Sequence, residues 1–203
     1  MDFSAQDHRR IAEAIHDAEA QTDGEIVCVV ARSSSDYTYF PIIWASLAAL
    51  CAPWPLIGLT QLTVQRIFIL QLLVFIVTLF VLSIPRLRIL LVPRVVRRSR
   101  AHRAAMEQFH IRSMSRTRER TGVLIFVSLA ERYARIVADE GISARVPQKT
   151  WQDAVDRLIA GCRDDKIADG LVAAVEMCGA VLARQFPLRA DHVNELPDKV
   201  YVI

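Results

Sequence analysis

Residues 25–36 read Glu25–Ile26–Val27–Cys28–Val29–Val30–Ala31–Arg32–Ser33–Ser34–Ser35–Asp36, and Arg66 is the one charge between Tyr37 and Pro85. The first seven residues form an apolar, largely β-branched run that follows the turn Thr22–Asp23–Gly24, the pattern of a strand buried on both faces. Such a strand needs neighbours, yet the chain leaves it through a serine-rich linker into a block with almost no polar surface. The fold therefore turns on how the chain crosses that block and comes back.

Tyr37–Gln65 is 29 residues without a charge and Ile67–Pro85 is 19 more, so each run spans a hydrocarbon layer roughly 30 Å thick at about 1.5 Å per residue. The reading is a transmembrane hairpin. Its first helix starts near Pro41 with Tyr37, Tyr39 and Trp44 at interface depth, Pro53 and Pro55 kink it, and Thr60–Arg66 forms the turn. The 49 residues from 37 to 85, taken from 203, leave 154, enough for one soluble domain. With 53% hydrophobic residues and 7 glycines, the chain is neither disordered nor a repetitive fibre.

The formal charge of +3 conceals an asymmetry: residues 1–36 hold 3 basic and 8 acidic groups, whereas residues 86–120 hold 11 basic and 2 acidic. Arg86, Arg88, Arg94, Arg97, Arg98, Arg100 and Arg103 follow the second span, against Arg66 alone at the turn. The positive-inside rule places both termini in the cytoplasm, on a two-helix protein of the bacterial inner membrane. Arg94, Arg97, Arg98, Arg100 and Arg103 meet lipid headgroups, either as the topogenic flank or as a specific contact. Nucleic acid is not the expected partner, since no recognised motif accompanies the charge. An acidic, polar N-terminus does not read as a cleaved signal peptide.

Working outward from the strand, Ser4–Ala5–Gln6–Asp7 is a capping box, and Ile11, Ile15 and Ala18 recur at helical spacing. Beyond the hairpin, Pro93 to about Met114 reads as a basic helix with Val95, His102, Met106 and Phe109 on its apolar face. Thr121–Leu129 is a second buried strand. Ala130–Glu131–Arg132 turns it into Tyr133–Asp139, an antiparallel edge strand that Gly141 ends. After Pro147 one helix carries Trp151, Val155, Leu158, Ile159 and Cys162, and a longer one carries Ile167, Leu171, Val175, Cys178, Leu182 and Phe186. Val200–Ile203 reads as a further edge strand. The domain thus runs as 1–36, a hairpin at 37–92, and 93–203.

Thr121–Gly122–Val123–Leu124–Ile125, Ser128, Glu131–Arg132, Ile136–Val137–Ala138–Asp139, Gly141–Ile142, Trp151, Phe186–Pro187 and Asn194–Glu195–Leu196–Pro197 together resemble the membrane-bound bacterial branch of the TPM domain family. Glu19, Thr22 and Gly24–Glu25–Ile26 resemble its first helix and strand. The resemblance implies an α/β sandwich, a small mixed sheet packed between helices, with the transmembrane hairpin inserted after the first strand. It also implies varied functions: photosystem II repair and acid phosphatase activity in plant members, calcium binding in some, and receptor-channel modulation in an animal member. Bacterial members stand beside LemA-like membrane proteins, which implies a LemA-like partner. Where many TPM domains have an acidic, glycine-rich turn, this chain has Gly141–Ile142–Ser143–Ala144–Arg145, and Gln148 or Lys149 stands where a further acid is usual. Hard cations need several convergent oxygens, preferably carboxylates.

The candidate sites are few. If the first two strands are parallel, Asp23 and Glu25 share a sheet edge with Asp139 and Glu140, a candidate site for a divalent cation such as calcium. The commoner role for such residues is as solvated strand ends, with Asp139 capping a turn. Asp164, Asp165 and Asp169 read as a polar join between helices. At the opposite edge the first strand runs straight into the membrane block, so little open pocket is expected there. His8, His16, His102, His110 and His192 are scattered. Cys28, Cys51, Cys162 and Cys178 form no CxxC pair and read as buried small hydrophobes. No glycine elbow, P-loop or dinucleotide fingerprint is present. Three functions follow: a non-enzymatic interaction module in assembly or maintenance of membrane proteins, a metal-dependent phosphatase or hydrolase using Asp139, and an anionic-lipid-binding regulator using Arg94–Arg103.

Overall fold

Every residue of β1 (Glu25–Ala31) is buried, because the strand lies inside a four-stranded mixed sheet. The computed structural model describes residues 4–112, 120–164, 166–189 and 194–203, the side chains of Pro85 and Arg86 excepted. The expected helix end at Met114, the carboxylate of Asp165 and His192 lie outside these residues. The sheet order is β3–β2–β1–β4, with β2 at Gly122–Ser128, β3 at Tyr133–Ala138 and β4 at Val200–Val202. β1 pairs in parallel with both β2 and β4, while β2 and β3 are antiparallel.

The two-residue period of the strands sorts their side chains onto two cores. Ile26, Cys28 and Val30 with Val123, Ile125 and Val127 face one layer of helices. That layer contains α1 (Ala5–Glu19), α8 (Gln152–Arg163) and α9 (Ile167–Gln185). Val27, Val29 and Ala31 with Leu124, Phe126 and Val137 face the other way, against Ala105 and Phe109 of α6 (Arg94–Ile111). A sheet covered on both faces is why β1 and β2 carry no polar alternation.

The helix starts and crossings follow from local chemistry. Ser4 and Asp7 exchange hydrogen bonds as a capping box, which fixes the start of α1. A Cβ on Gly179 of α9 would come within 2.7 Å of the Ala18 methyl in α1, and one on Gly161 of α8 within 2.7 Å of the Gly170 backbone in α9. These helices pack with their backbones nearly touching.

Contact grouping divides the chain into two compact units, residues 1–34 with 98–203, and residues 35–97. The second unit contains α2 (Tyr39–Cys51), α3 (Pro53–Leu59), α4 (Val64–Leu82) and α5 (Pro85–Leu90). Residues 39–59 and 64–82, with mean hydropathy 1.8 and 2.3, are long and apolar enough to cross a membrane. α2 lies along α4, with the small residues Ala45 and Ala49 buried and Ile43, Trp54, Phe68, Leu72 and Phe80 exposed. Close packing through small residues with apolar side chains turned outward suits a lipid surrounding.

Several sequence expectations are corrected. The first span breaks at Ala52, just before Pro53, in keeping with its prolines, but the turn is only the segment Thr60–Thr63, since α4 already begins at Val64. β3 stops at Ala138, one residue before the expected Asp139, because Asp139 caps the short helix α7 (Glu140–Ser143). On α6 Val95 is exposed, and Ala101 and Ala105 are buried with Phe109. On α8 Ala154, not Val155, is fully buried, following a 3-10 turn at Gln148–Trp151. Cys51 is exposed, unlike Cys28 and Cys178.

Candidate functional site

The register Glu25↔Gly122 and Val123↔Ala138 brings the start of β1 and the end of β3 to one edge of the sheet, as the parallel pairing requires. The four acids proposed for that edge each hold neighbouring chain. Glu25 accepts backbone hydrogen bonds from Glu195 and Leu196 at 3.0 and 3.2 Å. Asp23 accepts from the Arg189 N–H at 3.0 Å and pairs with its guanidinium. Glu140 pairs with Arg120, and Asp139 accepts the Glu140 N–H at 2.7 Å through Oδ1. The second oxygen of Asp139 is buried and has no partner among the described residues. Among the described residues no group of three or more His, Cys, Asp or Glu side chains is placed to hold a metal ion.

A fifth acid at this edge, Glu19, is 4% exposed and was singled out only as part of a resemblance. It accepts the Ile26 N–H at 2.6 Å and a longer contact from the Asn194 amide at 3.4 Å. Burial pushes its carboxyl up to about 9, against the Ile26 hydrogen bond and reinforced by Glu25 and Asp198. Asp198 goes the other way: burial raises it, but hydrogen bonds from Asn194, His16 and Glu19 outweigh that and lower it. The Asn194 amide donates to Asp198 at 2.6 Å and His16 Nδ1 lies 3.0 Å away. One proton-sharing acid network therefore holds residues 194–198, which lead into β4. An acid at a helix end, directly before a turn into an all-apolar strand, was the only sequence signal for it.

At the opposite edge Glu131 is buried beneath the turn between β2 and β3. It accepts from the Ser33 hydroxyl at 3.2 Å, the Ser34 N–H at 3.1 Å and the Ser128 hydroxyl. Ser128 also accepts from the Ser34 hydroxyl at 2.8 Å, so its oxygen is committed to structure. A cavity of about 540 Å³ lies between this turn and the facing ends of α8 and α9. Arg132, at its mouth, has φ 50.

Of the arginines assigned to lipid contact, Arg94, Arg98, Arg100 and Arg103 are exposed and Arg97 is half-buried. Asp169 pairs with Arg10 at 2.7 Å. Cys28 and Cys178 are fully buried and burial raises both thiols, Cys178 to about 12. Such thiols pack as apolar groups.

Residues 84–181 match a family model described as TPM domain. That range contains α6, β2, β3, α8 and most of α9, whereas α1 and β1 precede it. Among solved structures, the NMR structure of the BA42 protein from the psychrophilic bacterium Bizionia argentinensis is similar in fold, with a TM-score of 0.63 at 20% identity. That likeness covers 100% of this chain and 97% of the other. No curated protein matches the chain.

Proposed function

This chain carries a TPM domain, and we propose that it is a membrane-anchored, non-enzymatic interaction module serving the assembly or maintenance of membrane proteins. The anchor is a transmembrane hairpin inserted between β1 and β2, and both termini lie in the cytoplasm at the bacterial inner membrane. Arg94, Arg97, Arg98, Arg100 and Arg103 form the headgroup collar, and the partner is a membrane protein of the LemA-like class. One observation carries this reading. The buried glutamates Glu25 and Glu131, one at each sheet edge, are spent on the chain's own backbone and side chains, Glu25 on Glu195 and Leu196, Glu131 on Ser33, Ser34 and Ser128. Crosslinking and co-purification from native membranes tests it. A reproducible membrane-protein partner is expected, and repeated recovery of the chain alone overturns the proposal.

A second reading rests on the buried, unpartnered oxygen of Asp139. A carboxylate oxygen without a donor suits a cation, and a metal-dependent phosphoesterase would use it as a ligand. Purified protein would then hydrolyse a phosphoester in a metal-dependent way, and Asp139→Asn would abolish the activity. Unchanged activity in that variant removes the idea.

A further inference from the structure

We propose that the cavity beneath the β2–β3 turn binds a single-chain anionic amphiphile, a phosphate or carboxylate carried on one apolar chain, with its head between Arg132 and Arg163. The lining divides by chemistry. Val127, Leu129, Ala134, Ile159 and Ile167 give the hollow apolar walls, while Arg132 and Arg163 are cationic and none of the described lining residues is acidic. Both arginines are exposed, and neither forms an ion pair among the described residues. Two guanidinium groups on one cavity repel each other, and a shared anion removes that cost. Arginine also suits the planar, bidentate recognition of carboxylate or phosphate oxygens.

The size and the apolar wall decide the rest of the ligand. A cavity of about 540 Å³ falls within the range of roughly 300–1,000 Å³ that buries most of a small ligand. Apart from the two arginines, its side-chain polar groups are the Ser128 hydroxyl, which is engaged by Glu131 and Ser34, the Tyr133 hydroxyl and the Cys162 thiol, too few to pair a polar ligand body. A sugar or nucleotide body would leave its own polar groups unpaired there, whereas an alkyl chain would not. The cavity binds rather than reacts: Ser128 is committed, and burial raises the Cys162 thiol, keeping it protonated. This site does not depend on the interaction role proposed above.

The test uses the full chain in phosphatidylcholine nanodiscs titrated with octyl phosphate, inorganic phosphate and octanol, read by amide chemical shifts. Octyl phosphate is expected to shift residues 127–134 and 159–167 saturably. Inorganic phosphate and octanol, each lacking half of the recognition, are expected to bind about tenfold or more weakly. Arg132→Asn, which tolerates the left-handed backbone, and Arg163→Gln should each weaken octyl phosphate about tenfold. Ile159→Trp, which fills the hollow while sparing both arginines, should abolish binding. The proposal is overturned if phosphate binds as tightly as octyl phosphate, if octanol does, or if the three variants retain wild-type affinity.

Discussion

Glu19, in the last turn of α1, accepts the backbone N–H of Ile26 in β1 at 2.6 Å from a site that water barely reaches. A helix end is thereby fastened to the second residue of the central strand by a carboxyl group that burial keeps protonated well above the ordinary carboxylate range.

That shift fixes a pH dependence. The folded value, about 9, lies above the ordinary glutamate value of 4.5. Between those values the folded state holds a proton that the unfolded chain releases, so stability from this group is full below about 4.5 and falls as pH rises toward 9. The slope is at most about 1.4 kcal/mol per pH unit. Asp198 is lowered instead, so its contribution is lost on acidification. Thermal unfolding followed from pH 5 to 9 should show a falling Tm, and Glu19→Gln should flatten it; an unchanged slope in the variant contradicts this account.

Gly161→Ala should destabilise the domain. Alanine is favoured over glycine in a helix by about 1 kcal/mol, but the new methyl would sit 2.7 Å from the Gly170 backbone, which cannot swing aside. Overpacking of that kind costs roughly 1–3 kcal/mol, so the clash wins. Chemical denaturation of Gly161→Ala beside Gly58→Ala, where nothing lies within 4 Å, separates the two effects. A stabilised Gly161→Ala would refute the close crossing of α8 and α9.

Glu131→Ala should cost about 2–4 kcal/mol, because the Ser34 N–H and the hydroxyls of Ser33 and Ser128 lose a shared buried acceptor. Glu131→Gln keeps one acceptor oxygen and should fall between the two. A midpoint shift in urea that ranks the three proteins in any other order argues against the node.

A reporter fused after Ile203 should signal the cytoplasm. Replacing Arg88, Arg94, Arg97 and Arg98 with glutamine should raise the fraction of inverted chains, because the charge bias across the hairpin then shrinks toward Arg66. A periplasmic signal from the unmodified protein would overturn the orientation.

Much of the architecture could be read from residues alone, and the reason is physical. The apolar runs Ile26–Ala31 and Gly122–Val127 admit a sheet covered on both faces, and the Ile167–Phe186 stripe admits one helix. Boundaries were less legible where one polar atom decides them: Asp139 was read within a strand because its capping bond to Glu140 depends on backbone geometry. Alanine faces were also missed, since Ala101, Ala105 and Ala154 matter through close approach rather than hydrophobicity. Asp23, Glu25, Asp139 and Glu140 were correctly placed at one edge, but their individual partners, and the cavity at the other edge, arise from segments far apart in the chain. No local spacing carries that information.

The sheet order also sets a timetable. β1 is synthesised before both of its neighbours in the sheet, β2, which follows the apolar helices, and β4, which follows α9. A seven-residue ribbon with no polar face must therefore wait unpaired while residues 32–121 are made and the hydrophobic helices are committed to their surroundings. Closure of the domain around so long an excursion is a late, slow event. The waiting strand is the segment of this chain that most needs shielding at the ribosome and the insertion machinery.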